Sequence, residues 1–215
     1  MLALAAALAL QNSDLPEKAV VAYSGIPTVT GQNIVVQSHS VTLLLKKDHA
    51  EVSSLTLIKN DGPAGTAAVT IPEFQSVPGA PSFAIAATWA NAPLTLSREQ
   101  IMGIPENRNP TWRFSGKGPM KNLGTYALRI SYSVPLGKCG FDHKQFLAAY
   151  DLNSPAPIGT LMTTYTYGPG VVFHEPEAAP NLGWQVGQKG AFLRLNGYDG
   201  KGGLSYCAFY SGGFK

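Results

Sequence analysis

The sequence predicts an all-β protein: an antiparallel β-sandwich of immunoglobulin-like or jelly-roll-like design, with about ten strands and at most one short helix. Three observations lead there. In residues 126–134, Tyr126, Leu128, Ile130, Tyr132 and Val134 hold one parity, with Ala127, Arg129, Ser131 and Ser133 between them. That period of two marks a strand with one packed and one wet face. Shorter alternating runs recur, punctuated by Gly, Pro, Asn and Asp clusters about every eight to twelve residues. Lastly, 23 glycines and 16 prolines in 215 residues suit many short strands joined by turns.

Composition narrows the function classes. Charged residues make up 13% of the chain, about half the usual share in a soluble protein. A hydrophobic fraction of 45% argues against disorder. The net charge is +3, with lysines and arginines scattered and no basic run. This disfavours nucleic-acid partners and strong attraction to anionic membranes.

Taken in order, residues 1–10 form an apolar Ala/Leu run too short to cross a bilayer. They read as a signal-peptide remnant, with Ala7-Leu8-Ala9 as the cleavage site, although no basic stretch precedes them. The alternative is a buried or amphipathic N-terminal helix. Residues 11–32, polar and proline-punctuated, read as an N-terminal arm able to reach a neighbour. Residues 33–215 then form a single sandwich domain. Under the signal reading the protein is secreted or on the cell surface, with no transmembrane segment.

Residues 33–46 read as a first strand, with Val41, Leu43 and Leu45 alternating. Residues 50–59 return as a second, whose apolar parity slips between Val52 and Leu55 and suggests a bulge. Asn60-Asp61-Gly62-Pro63 is a turn signal, and residues 66–71 form a third strand ending at Pro72. Within this portion, His39-Ser40-Val41, Leu43, Leu45, Ala50-Glu51-Val52, Lys59-Asn60 and Ala68-Val69-Thr70-Ile71-Pro72 resemble the opening strands of VIT-type domains. These are the β-sandwiches at the start of inter-α-trypsin inhibitor heavy chains and of related bacterial secreted proteins. The resemblance covers residues 33–72 and implies an extracellular interaction or structural module. The Asp-x-Ser-x-Ser motif of the metal-binding domain that often follows is absent, and the resemblance implies no catalytic residue.

Phe83, Ile85, Ala87 and Trp89 alternate as a fourth strand. Residues 94–102 suggest a short helix with Ser97 as N-cap and Gln100 at the third helical position. Trp112-Arg113-Phe114 begins another strand, and residues 115–119 read as a lead into the strand at 126–134. Residues 141–152, 161–167 and 171–173 continue the series. Residues 191–196 and 204–210 read as a closing hairpin across a Gly-rich turn.

Chemistry is sparse. Cys139 and Cys207 are the two cysteines. In an exported chain they form a disulfide closing a loop of roughly 70 residues, worth about 4 kcal/mol by chain entropy. The competing reading makes Cys139 a nucleophile assisted by His143. His39, His49, His143 and His174 lack metal-ligand spacing, so no metal is expected. Asn196-Gly197-Tyr198-Asp199 reads as turn chemistry ahead of a calcium loop. There is no Gly-x-Ser-x-Gly and no phosphate loop, and no cofactor is implied. Glu51, Glu73, Asp151 and Glu175 cannot be paired as glycosidase carboxylates from sequence alone.

Aromatic residues crowd the C-terminal region. Tyr165, Tyr167 and Tyr206 read as core from their alternation, which leaves Trp184 and Tyr198 as ligand-binding candidates in loops. The functional expectation is a secreted or cell-surface module acting by binding or assembly, through a protein partner or self-association. A carbohydrate-binding module using the loop aromatics is one alternative. A hydrolase with a site assembled from loops is another.

Overall fold

A computed structural model describes residues 22–46, 48–75, 84–101, 112–136, 145–168, 171–173 and 182–211. The strands are β1 (Ala22–Gly25), β2 (Thr28–Thr30), β3 (Ile34–Leu45), β4 (His49–Asn60), β5 (Gly65–Gln75), β6 (Ala86–Trp89), β7 (Ala92–Pro93) and β8 (Ser97–Gln100). They continue with β9 (Trp112–Met120), β10 (Thr125–Pro135), β11 (Gln145–Asp151), β12 (Ile158–Tyr167), β13 (Val171–Phe173), β14 (Gln185–Gly187), β15 (Gly190–Tyr198) and β16 (Leu204–Ser211). These exceed the expected ten because turns cut the chain more finely than its apolar runs suggest. No helix occurs among the described residues.

The strands form two sheets with free edges, so neither closes into a barrel. The first runs β13-β16-β11-β1-β5-β9-β8, with β2 also on β5, and the second β14-β15-β12-β3-β4-β10-β6-β7. The expectation of purely antiparallel sheets is corrected, since β1 pairs parallel with β11 and β3 parallel with β12. Alternation reports that one face of a strand is packed, but it does not report the direction of the neighbour. The inner faces share one core in which Leu43, Ile58, Leu128 and Leu161 of the second sheet meet Ile71 and Tyr150 of the first.

Several local expectations shift in the same way. Residues 22–30, expected in an arm, are β1 and β2 of the first sheet. The second strand has no bulge. β4 keeps strict alternation and turns Ser54 and Thr56 inward, while the register shift falls between Val36 and Ser38 of β3. Hydroxyls at inner positions mimicked a slip in parity. β5 runs on through Pro72, whose carbonyl accepts a 2.6 Å hydrogen bond from Ser24 Oγ. Its missing N–H falls on the same side, where β1 gives way to β2, so no ladder bond is lost.

The segment expected as a helix forms the edge strand β8. Ser97 Oγ donates to the Ser115 carbonyl across the sheet instead of capping a turn. Residues 115–119, expected only as a lead into the strand at 126–134, are themselves part of β9. The closing hairpin is also corrected: β15 belongs to the second sheet and β16 to the first. Residues 199–203 cross between the layers beside the β11–β12 connection, tied by Leu152 N to Gly203 O and Ser154 N to Gly200 O.

Candidate functional site

Two polar constellations stand out, one inside the layers and one on the surface. Inside, the inward parity of β3, β4, β10 and β12 delivers His39, Thr56, Ser54, Tyr132, Thr163 and Tyr165 to the space facing Ser24, Tyr150 and Ser205 of the first sheet, all of them buried. His39 Nδ1 lies 2.8 Å from Thr56 Oγ1 and Nε2 lies 3.0 Å from the Tyr150 hydroxyl. The Tyr165 and Ser205 hydroxyls share a 2.5 Å hydrogen bond across the layers. Burial holds the His39 ring neutral, lowering its pKa to about 3. Burial also raises Tyr132 and, with the neighbouring Tyr132 and Asp151 adding to it, Tyr150. A histidine with both nitrogens engaged and no exposed surface makes a poor general base. This cluster locks the sheets together.

Apart from these, an ion pair with a buried carboxylate sits at the β8 edge. Arg98 Nε and Nη2 donate to Glu73 Oε2 and Oε1 at 3.0 and 3.2 Å. The guanidinium lies 3.6 Å over the Trp112 ring. Glu73 is fully buried, so this bidentate pair satisfies a carboxylate that burial would otherwise penalise.

On the surface, the outward parity of the second sheet makes a shallow trough of about 420 Å³ across β3, β4, β10 and β6. Register builds its lining. Thr42 lies opposite Ser53, Ser53 opposite Ser131, and Ser131 opposite Ala86. One step along the strands, Ser40 lies opposite Leu55, Leu55 opposite Arg129, and Arg129 opposite Thr88. Ser40 Oγ reaches the Leu55 carbonyl at 3.4 Å. Thr42, Ser53, Thr88 and Ser131 have no side-chain hydrogen bond, and Arg129 no acidic partner, among the described residues. Each hydroxyl can donate and accept, and the guanidinium only donates. The trough therefore offers a grid of unused hydrogen-bonding groups around one positive charge.

The residues singled out in the sequence fall elsewhere. Cys139 lies outside the described residues, and Cys207 stands in β16 in register with Ala148, so the cystine lies outside them too. Tyr198 ends β15 and is 5% exposed, its hydroxyl donating to the Leu152 carbonyl at 2.6 Å. Burial raises its pKa to about 12. It is part of the layer crossing, with no ring face available to solvent. Trp184 is half-buried, 5.6 Å from the Tyr165 ring, and its buried Nε1 has no partner among the described residues.

Glu51 contacts Lys46 and His49, and Asp151 Oδ1 accepts from Asn153 N. With Glu73 held by Arg98, these carboxylates do not converge, and Glu175 lies outside the described residues. Asp199 Oδ1 accepts from Lys201 N, as in a turn. Arg129 and the hydroxyl rows form no linear motif, because only strand register brings them together. Their one linear signal is Ser, Thr and Arg on the polar parity of β3, β4 and β10.

The fold and trough together define a two-sheet all-β protein with a polar surface site. No protein-family model matches the chain, and no curated protein does. A candidate nutrient-binding protein from Legionella pneumophila subsp. pneumophila strain Philadelphia 1 shares the fold. It aligns at a TM-score of 0.70 and 12% identity over 89% of this chain and 72% of that one. A candidate protease from Parabacteroides distasonis and an M1 zinc metallopeptidase from Deinococcus radiodurans align at TM-scores of 0.43, with 8% and 9% identity. They match 84% and 85% of this chain but 41% and 43% of their own lengths, and carry no argument about function.

Proposed function

We propose that the chain is an exported β-protein that acts by binding, with the outer trough of the second sheet as its ligand seat. The observation that carries this is the trough itself, a concavity where the hydroxyls of Thr42, Ser53, Thr88 and Ser131 and the Arg129 guanidinium are left unused by the described residues. Its volume falls within the range of small-ligand pockets. The L. pneumophila protein of like fold bears nutrient binding in its name, a role of the same class. Among the described residues no helix is long and apolar enough to cross a membrane.

The test is a ligand screen by thermal shift with sugars, hydroxy acids and amino acids, since a ligand bound only to the folded state raises the unfolding temperature. Ser53→Trp fills the trough from an exposed strand position and is expected to fold normally and abolish every productive shift. A shift that survives this substitution would move the ligand seat elsewhere.

Export and the Cys139–Cys207 disulfide belong to the same reading, as does the VIT-type likeness of residues 33–72. Intact mass of protein recovered from the secreting host checks the first two. The expected result is loss of about the first nine residues, with a mass deficit of about two daltons that reduction restores. An intact N-terminus with two free thiols would contradict them.

A further inference from the structure

Arg129 projects from the middle of the trough, exposed, between Leu55 and Thr88 in its row. No carboxylate lines the concavity, and none among the described residues pairs with Arg129. A guanidinium presents a planar fork of donors that matches an oxyanion with two parallel hydrogen bonds. A single such group suits a single oxyanion, since a row of phosphates would call for several cations.

The rest of the lining narrows the ligand further. Thr42, Ser53, Thr88 and Ser131 offer short hydroxyls on two rows, and a sugar hydroxyl both donates and accepts in the same way. Leu55, Ala86 and Ile130 give aliphatic contacts, and no aromatic ring lines the trough. Recognition by stacking, usual for neutral sugars on flat aromatic platforms, has no surface here.

We infer that the trough takes a saccharide bearing an oxyanion, a carboxylate or a sulfate ester, with Arg129 on the oxyanion and the Ser/Thr rows on the ring hydroxyls. The inference rests on the binding reading above and adds the ligand class. Arg129 is then the specificity-determining residue. The hydroxyl rows supply contacts that neutral and acidic sugars share.

Titration calorimetry with a galacturonic acid trimer, its methyl ester and a galactose 6-sulfate oligomer tests this on the full chain. The acid or the sulfate is expected to bind at least about tenfold more tightly than the ester, as a charge-assisted hydrogen-bond pair requires. The preference is expected to weaken with added salt because Arg129 is exposed. Arg129→Gln should erase the preference, and Ser53→Trp should remove all binding. The carboxylate and sulfate arms identify which oxyanion is held.

Equal binding of acid and ester, lost in Ser53→Trp, would overturn the oxyanion assignment and keep the trough as a ligand seat. A preference for the acid that persists in Arg129→Gln would move the anion site off Arg129. Failure of every acidic saccharide to bind would also overturn the inference, leaving the seat itself to the broader screen.

Discussion

Both nitrogens of His39 are engaged between the sheets, by Thr56 on its own sheet and Tyr150 on the other. Adding a proton would put a second N–H donor and a positive charge into a layer where its partners are hydroxyls. Burial therefore holds the pKa near 3 in the folded protein, against about 6.5 in the unfolded chain. Between those values the unfolded state binds a proton that the native state refuses. The His39 contribution is thus complete above pH 6.5 and falls as pH drops through that window, by about 5 kcal/mol in all. Urea titrations at pH 7, 5.5 and 4 are expected to show a steadily falling midpoint. His39→Gln should be less stable at pH 7 but flatter with pH. If its pH slope matches that of the parent chain, other groups set the acid sensitivity. Nothing in the sequence set this histidine apart, because its partners are a threonine on the neighbouring strand and a tyrosine more than a hundred positions away.

Trp89 closes β6 and sits against β9, where its Nε1 donates to the Pro119 carbonyl at 2.9 Å and its ring stacks on Tyr126. The ring fits because residue 118 has no side chain: a Cβ there would overlap the indole. Glycine inside a strand commonly marks such a close approach. Gly118→Ala is expected to destabilise the protein by about 2–3 kcal/mol through overpacking, seen as a lower denaturant midpoint with unchanged slope. An unchanged midpoint would mean that the indole can move aside. β9 is illegible from composition because Gly116, Gly118 and Pro119 look like turn residues until residues 94–96 cover Gly116 and Trp89 fills the space above Gly118. β8 was misread for a related reason. Its Ser97 and Gln100 match a helix-start pattern, but the edge of β9 and the buried Glu73 carboxylate hold Arg98 and its neighbours extended. Long strands such as β3, β10 and β12 are legible because their own alternation suffices. Strands that depend on a distant partner are not. The trough falls in this second group, because its strands could be recognised singly and only their register aligns the hydroxyls with Arg129.

The two parallel pairings define how the molecule is assembled. In the first sheet β5, β9 and β8 come from the N-terminal part of the chain and β11, β13 and β16 from the C-terminal part, with β1 between β5 and β11. In the second, β4, β10, β6 and β7 are early and β12, β14 and β15 late, with β3 joined to β12. Each sheet is thus two antiparallel blocks stitched by one parallel seam, and both seams unite early and late residues. The interlayer hydrogen bond between His39 and Tyr150 links a strand of one seam to a strand of the other. No local pattern could announce this, because the partners stand more than a hundred residues apart in sequence. The weaker seam is β1, with two parallel register pairs on β11, Ile26 N on the Asp151 carbonyl, and Gly25 so close that a Cβ would press on Asp151 at 2.8 Å. Deleting residues 22–30 should therefore leave β11 paired with β16 alone and the core open along one side. The expected outcome is loss of a single cooperative thermal transition and of amide protection in β11 and β16, followed by circular dichroism and hydrogen exchange. Retention of a sharp transition near the parent temperature would mean that β11 can close directly onto β5, and that residues 22–30 are dispensable to the sheet.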